Sequence, residues 1–401
     1  MLTTEQEYIL NEAIKWWKSS EQIFQYSGGP GTGKSFLLSH ILDNIGVPLE
    51  RIAPMAFTGQ AAVVMRGYGL KNARTIYSWL YEPVSIYEMN EDGSYKLDPY
   101  FNKPIQKVEF IPRDLKDIDL FIIDEGSMVP ENMKEEINSR DKKIIVTGDL
   151  NQLPPISGEP AYLTSGKIYR LNQIMRQAEN SPIVYLANQA INGKYIQNGR
   201  YGNCVVMYDD EITDREILES EIIICVRNKT RETINNNFRK NILHTDSPLP
   251  LVGEKMICRK NNWYIESEGI NLVNGLIGRV VGSPRVQGYD SKLGTYTIDF
   301  EPIYTNGAFT DLICDYRYLN ATNEQRKYIR NAKFSHGEKL EYAHAITVHS
   351  SQGSQFSNGI YMEEPFSKDI KNRLNYTAIT RFKDRLFYLR KRPKKYYNIS
   401  Y

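Results

Sequence analysis

The sequence predicts an α/β protein: two domains with parallel sheets, interrupted by a β-hairpin insertion and a small β-barrel insertion. Three observations lead there. The chain has 401 residues, more than one hydrophobic core comfortably holds. Strand-length apolar runs recur at 52–57, 120–124, 143–149 and 221–226, and again at 344–351 and 385–390, each followed by polar or helical sequence. Such alternation marks parallel strands joined by crossover helices. Two stretches, 83–113 and 246–335, break that rhythm with short alternating segments rich in turn residues.

Taken in order, residues 23–35 read as a short strand, a glycine-rich turn and then a helix, because SFLLSHILDNI repeats its apolar residues at helical spacing. Residues 83–113 read as a hairpin bent at Asp92-Gly93 in NEDGSY. The first domain is accordingly drawn as 1–170, with the hairpin inside it. GRVVGS and GTYTIDF are typical of 246–335, where frequent Gly and Pro suit a small barrel. The second domain then comprises 171–245 and 336–401. The basic tail RKRPKKYY at 390–397 is either a solvated end or an arm on phosphates.

Composition excludes several classes. A hydrophobic share of 41% and a charged share of 24% are those of a globular protein, not a disordered or fibrous one. The net charge of +2 leaves room for a basic channel on a compensated surface. Cys204, Cys225, Cys258 and Cys314 are scattered with no C-x-x-C pair, so neither a zinc site nor a compact disulfide framework is expected. No 18-residue apolar run is present and the first 17 residues carry charges throughout. The expectation is a cytoplasmic protein without a membrane partner. Abundant Asn, Ile, Lys and Tyr with a compact size suit a phage enzyme from an AT-rich genome.

The chemistry centres on GGPGTGKS, 28–35, a full G-x-x-x-x-G-K-[ST] match. Gly28, Gly29, Pro30, Gly31, Thr32 and Gly33 let the backbone curl so that several N–H groups face one anion, at the positive end of the following helix. Lys34 then reaches the terminal phosphates of a nucleotide and Ser35 offers a hydroxyl to Mg²⁺. Asp124 and Glu125 end the apolar run LFIID: the first suits a magnesium ion, the second a general base that polarises water. Past the run at 144–147, Gly148, Asp149 and Gln152 occupy a strand-to-loop turn where a side-chain amide can sense a γ-phosphate.

These blocks, joined by TTEQ (3–6), APMAFTGQAA (53–62), ARTIYSWL (73–80), LNQIMRQ (171–177), ITVHSSQGSQF (346–356) and NYTAITR (375–381), fall in an order that resembles superfamily 1 DNA helicases of the B type, the RecD-like group. The resemblance spans residues 3 to 381. It implies two RecA-like P-loop NTPase domains with ATP and Mg²⁺ between them. Gln6 is then the reader of adenine, Gln152 and Gly353 sense the γ-phosphate, and Arg176 and Arg381 are arginine fingers. Pro54, Thr58, Thr75 and His349 fall in blocks that line the DNA channel, and Asn274-Gly275 resembles a pair near the strand path or is an ordinary turn. The implied partners are single-stranded DNA and duplex forks, with single-strand-binding or replication proteins as candidate protein partners, and the implied direction is 5′ to 3′. Two departures stand out. Gln60 in AFTGQAA and Ser350 in HSSQG occupy positions where such helicases carry lysine, and each phosphate left without a cation lowers the salt dependence by about one unit of slope.

On this reading ATP draws the two domains together, hydrolysis releases them, and the alternation moves the chain along a strand. The hairpin is the pin that splits the duplex, and Tyr87, Tyr95, Tyr100 and Phe101 are candidates to stack on a base or to glue the hairpin down. The alternative is a P-loop ATPase that remodels protein or nucleoprotein complexes without separating strands.

Overall fold

The structure is a computed structural model that describes residues 2–97, 102, 104–155, 158–287, 294–305, 307–331 and 337–393. The first lobe opens with helix α1 (Thr4–Trp17), whose first turn is capped by the reciprocal Thr3 and Gln6 bonds. Strand β1 (Ile23–Gly28) runs through the glycine turn into α2 (Lys34–Ile45). Then follow β2 (Ile52–Ala56), α3 (Gly59–Gly67), β3 (Arg74–Thr75) and α4 (Ile76–Leu80).

A protruding hairpin comes next, β4 (Tyr81–Tyr87) against β5 (Gln106–Pro112), in register from Tyr81 opposite Pro112 to Tyr87 opposite Gln106. Asp92-Gly93 does turn the chain, but it is an inner turn. The segment after it folds back, so that Lys96 N–H donates to Glu88 O and Ile105 N–H to Lys96 O, both at 2.8 Å. The Glu88 carboxylate favours this fold-back by pairing with both Lys96 (3.4 Å) and Lys107 (3.2 Å).

The lobe closes with β6 (Leu120–Asp124), α5 (Glu131–Asn138), β7 (Lys143–Gly148) and β8 (Ile168–Leu171). Its sheet order is β3-β2-β6-β7-β1-β8 with every pair parallel. The central strands are apolar along their whole length because helices cover both faces, and Ile52, Phe121, Ile122, Ile144 and Ile145 are fully buried.

After the short helix α6 (Arg176–Glu179), the second lobe starts with α7 (Pro182–Ile191), β9 (Gly199–Tyr201), β10 (Cys204–Tyr208), α8 (Asp214–Glu219), β11 (Ile222–Cys225) and α9 (Asn228–Asn237). The barrel interrupts it with β12 (Lys255–Cys258), the ribbon β13 (Asn262–Ser267) and β14 (Ile270–Leu272), β15 (Ile277–Val280), β16 (Arg285–Gln287), β17 (Thr295–Pro302), β18 (Phe309–Asp315), α10 (Tyr316–Leu319), α11 (Asn323–Asn331) and β19 (Leu340–Tyr342). Strands β19, β12, β15, β17 and β18 pair in sequence, and the ring closes where Cys314 bridges Glu338 just ahead of β19. The barrel therefore needs residues up to 342 and does not end at 335. The bond Arg259 N–H to Lys339 O and the buried Lys339–Asp315 ion pair hold that last strand in the ring.

Only Ala343 and His344, both buried, separate β19 from β20 (Ala345–Thr347), which re-enters the second lobe. Strand β21 (Phe356–Met362), α12 (Lys368–Ile379) and β22 (Phe382–Arg390) complete it, with sheet order β20-β11-β21-β22-β10-β9, parallel except for β9. All four cysteines are buried and free. Among the described residues no helix is long and apolar enough to cross a membrane.

Candidate functional site

The glycine turn between β1 and α2 holds Gly31 and Gly33 at φ of +77°, a left-handed conformation that a side chain resists. It is also too tight for one. A Cβ on Gly31 would lie 2.6 Å from Ala178 Cβ, and one on Gly33 2.4 Å from Met175 Sδ and 2.6 Å from Gln6 Nε2. The loop is thus wedged between α1 and the segment entering α6, and Met175 N–H donates to Gly31 O at 2.8 Å. Arg176 follows directly, so its backbone lies beside the phosphate loop; its side chain is outside the described residues, as are Tyr100 and Phe101. Thr32 Oγ1 donates to Gly29 O at 2.9 Å. Gln6 is fully buried and spends its amide on Thr32 O (3.0 Å) while its carbonyl oxygen caps Thr3 N–H. Lys34 Nζ rests on Gly28 O at 2.7 Å.

Asp124 ends β6 beside this loop. Burial, then the neighbouring Glu125 charge, push its carboxyl up to about 6 against the pull of Lys34. Ser35, Asp124 and Thr147 line one small cavity. A hydroxyl and one carboxylate are the protein ligands that Mg²⁺ takes when phosphate oxygens and water supply the rest. Among the described residues no group of three or more acidic, His or Cys side chains offers a self-sufficient cage. The donor set fits a magnesium ion brought in with a nucleotide.

Glu125 sits at φ of +51°, left-handed despite its side chain, a strain of about 1–3 kcal/mol of the kind that functional sites retain. The turn aims its carboxylate across the cleft at the second lobe. Arg381, at the start of β22, is 4% exposed and brings Nη1 to 3.6 Å from Glu125 Oε1, while Glu125 Oε2 is buried without a hydrogen bond. Gln152 Oε1 is likewise buried and unbonded, so two acceptors wait at the cleft for a donor such as water. Around them the lobes are sewn together. Tyr376 OH donates to Asp149 Oδ2 at 2.7 Å, Leu153 N–H to Thr377 Oγ1 at 3.0 Å and Gln352 Nε2 to Leu153 O at 2.9 Å. Tyr376 also overhangs the phosphate loop, its hydroxyl 3.0 Å from where a Gly29 Cβ would stand.

A groove of about 620 Å³ runs where both lobes and the barrel meet, lined by Thr58, Asn274, Gly275, His349 and Ser350 among others. Thr58 Oγ1 caps α3 through Ala61 N–H, and burial lowers the proton affinity of His349. Asn274-Gly275 is a turn, Gly275 having φ of +87° and donating to Cys258 O, and it faces the groove. Two residues expected here are elsewhere. Pro54 is buried in the middle of β2, its carbonyl taken by Trp79 Nε1, because β2 is an interior strand. Thr75 is buried too, and its hydroxyl is committed to capping α4 through Ser78. Gly353 has φ of +74° and packs on Thr58 and Ala61 at the head of α3. Tyr95 is exposed on the hairpin, edge-on to Tyr87 at 5.3 Å.

The groove's charge comes from residues that no block announced. Among the described residues Arg231, Arg259, Arg326 and Lys327 line it against a single carboxylate, Glu341. Arg231 and Arg259 bind Glu341 Oε2 at 2.6 and 3.1 Å, Arg326 lies at 3.9 Å, and Tyr318 OH donates to Oε1. Four cations facing one anion leave a wall suited to phosphates, and Arg259 Nη2 is buried with no partner. Gln60 is buried, accepting from Ile277 N–H, and Ser350 accepts from Arg259 Nη1. Helix α9 and the insert thus supply charge that those two positions lack.

A family model described as AAA domain matches residues 1–205. An uncharacterized protein of Methanocaldococcus jannaschii is 25% identical over 90% of this chain, which spans 36% of that protein. The RecBCD enzyme subunit RecD of Buchnera aphidicola (subsp. Schizaphis graminum) is 24% identical over 90% of the chain and 69% of its own length. The ATP-dependent DNA helicase Pif1 of Campylobacter jejuni is 26% identical over 53% of the chain and 46% of its length. The chain therefore spans from about a third to just over two thirds of these relatives. Among solved structures, Pif1 helicase at forked double-stranded DNA gives a TM-score of 0.55 at 19% identity, covering 97% of this chain and 92% of that one. Bacteroides Pif1 with ADP-AlF3 and single-stranded DNA gives 0.54 at 18%, with the same coverage. These likenesses bear on the fold.

Proposed function

Because the chain belongs to the AAA-domain family, we propose that the cleft between its lobes hydrolyses ATP and that the protein is a superfamily 1 helicase of the RecD and Pif1 kind, moving on single-stranded DNA. The observation that carries this is the approach of Arg381 to Glu125 beside the phosphate loop, 3.6 Å across the cleft.

The residues divide the work. Lys34 leaves the Gly28 carbonyl for the phosphates of ATP. Ser35 and Asp124 would hold Mg²⁺, which would supply positive charge to the phosphate oxygens. Glu125 takes the proton of a water that Gln152 orients, the water oxygen bonds to the γ-phosphorus, and the bond to the β-phosphate oxygen breaks to give ADP and phosphate. Arg381 exchanges Glu125 for the charge that gathers on the transferring group, with Arg176 as the second arginine finger that the resemblance assigns. Tyr376 on Asp149 and Thr377 on Leu153 carry the change between lobes. The cationic wall of Arg231, Arg259, Arg326 and Lys327 grips the strand, whose 5′ to 3′ travel brings the 81–112 hairpin to the duplex fork.

ATP turnover measured with and without single-stranded DNA tests the motor, and 5′-tailed against 3′-tailed duplexes test direction. Strong stimulation by DNA, abolished in Lys34→Ala, is expected, with unwinding of the 5′-tailed duplex alone. Turnover indifferent to DNA would leave an ATPase that remodels other complexes.

A further inference from the structure

We propose that the second lobe carries a phosphate-binding pocket remote from both the cleft and the groove, made for a phosphate group of a nucleotide or of a DNA backbone. A cavity of about 200 Å³ opens where β21 and β22 end, between the first turns of α12 and the loop after α7. The crevice at the carboxyl ends of parallel strands is where such sheets take ligands.

Its charge is lopsided. Lys194, Lys368, Lys371 and Arg390 line it, against one carboxylate, Glu363. Lys371 lies 2.6 Å and Arg390 3.5 Å from Glu363, while Lys194 and Lys368 have no ion pair among the described residues. Among the described side chains four cations and one anion leave an excess of three, enough for a phosphate monoester dianion; the side chain of Asp369 lies outside them.

The Arg390 fork is fixed and underused. Its guanidinium lies over the rings of Tyr195 and Tyr388, 4.8 and 5.3 Å from their centroids, with Nε 3.5 Å from Glu363 and Nη1 without a hydrogen bond. A phosphate oxygen drawn to Nη1 would satisfy that donor through a charge-assisted bond. Ser367 gives α12 no side-chain cap, so the amides of that helix's first turn and its dipole favour the same anion. Tyr195 is 74% exposed at the rim, and its outer face is free to stack on a base. Helix α12 lends Lys368, Lys371, Asn372 and Asn375 to this pocket and Tyr376 and Thr377 to the contacts with the first lobe, so one helix borders both.

The test uses the full chain. In Lys34→Ala protein, whose cleft no longer holds phosphates, inorganic phosphate and AMP are titrated by calorimetry and by ³¹P resonance, and a short oligonucleotide is titrated beside them. One phosphate site should remain. The exposed pair K194E/K368E should weaken it at least tenfold and K194R/K368R should restore it, while K194E/K368E in the otherwise unaltered chain keeps its DNA-free ATP turnover. Because the groove also holds an oligonucleotide, the affinity lost on K194E/K368E is read for each ligand: a larger loss for AMP identifies a nucleotide as the source, and a larger loss for the oligonucleotide a DNA backbone. If neither probe binds, or if K194E/K368E binds them as well as its parent, the proposal is wrong, and the ATPase of the cleft is untouched by that result.

Discussion

Replacing Glu341 with Gln should loosen the barrel at neutral pH and spare it in acid. Burial raises the Glu341 carboxyl, but Arg259, Arg231 and Arg326 outweigh it and hold the group down at about 2, from 4.5. At about 1.36 kcal/mol per pH unit, that difference is roughly 3 kcal/mol of stability. The carboxylate is 5% exposed, so solvent screening subtracts little. Removing one partner of a buried ion pair independently suggests about 3–5 kcal/mol. The guanidinium groups stay charged throughout, although burial lowers Arg231. For a depressed carboxyl the stabilisation is complete above 4.5 and is lost as pH falls towards 2. Hydrogen exchange at the β12 and β19 amides through a urea series reads the barrel directly. The parent and Glu341→Gln should differ by roughly 3 kcal/mol at pH 7, and the gap should shrink steadily between pH 4.5 and 2. A gap under about 1 kcal/mol at pH 7, the range of an exposed pair, or one that persists at pH 2, refutes the reasoning.

Glu125→Gln should retain nucleotide binding and lose about 10²–10⁴ in turnover, since only the proton acceptor is removed; single-turnover hydrolysis beside a nucleotide-binding titration checks it. Tyr376→Phe removes the 2.7 Å bond to Asp149, a charged interaction of about 1.5–3 kcal/mol. DNA-stimulated turnover should drop roughly tenfold or more, with DNA affinity little changed. Arg326→Ala with Lys327→Ala should weaken single-stranded DNA at all sequences alike and reduce the slope of log K against log salt by about 0.7 for each phosphate deprived of its cation. A slope equal to the parent's would put the strand outside this groove.

The sequence speaks most clearly where chemistry demands a local pattern. The glycine turn, the apolar central strands of the two mainly parallel sheets and the carboxylates at the end of β6 follow from periodicity and from what a phosphate requires of backbone and lysine. The groove was illegible because its charge is assembled by topology. Arg231 comes from α9, Arg259 from the barrel and Arg326 from α11, and nothing in their spacing announces that Glu341 gathers them. Pro54 and Thr75 misled for the converse reason: a residue within a recognisable block can serve the sheet or cap a helix. The barrel's last strand escaped notice because it is three residues long and is closed by one bridge at Glu338. Tyr376 lay inside a recognisable block too, but its reach to Asp149 depends on how the lobes meet.

The two-residue joint between Tyr342 and Ala345 has a mechanical corollary. With Ala343 and His344 buried, His344 stacked on Phe238 and bonded to Glu254, the barrel has no slack against the second lobe and must travel with it. On the proposed motor, a stroke between that composite body and the first lobe has to release the bonds from Arg66 to the Glu268 and Gly269 carbonyls and from Ile277 N–H to Gln60. Arg231, Arg259, Arg326, Lys327 and His349 all ride on the composite, while Thr58 belongs to the stationary side. On the proposed function a strand held there would be carried by those charges past a neutral rail, and spectroscopic rulers fixed on barrel and second lobe should keep one separation through every nucleotide state.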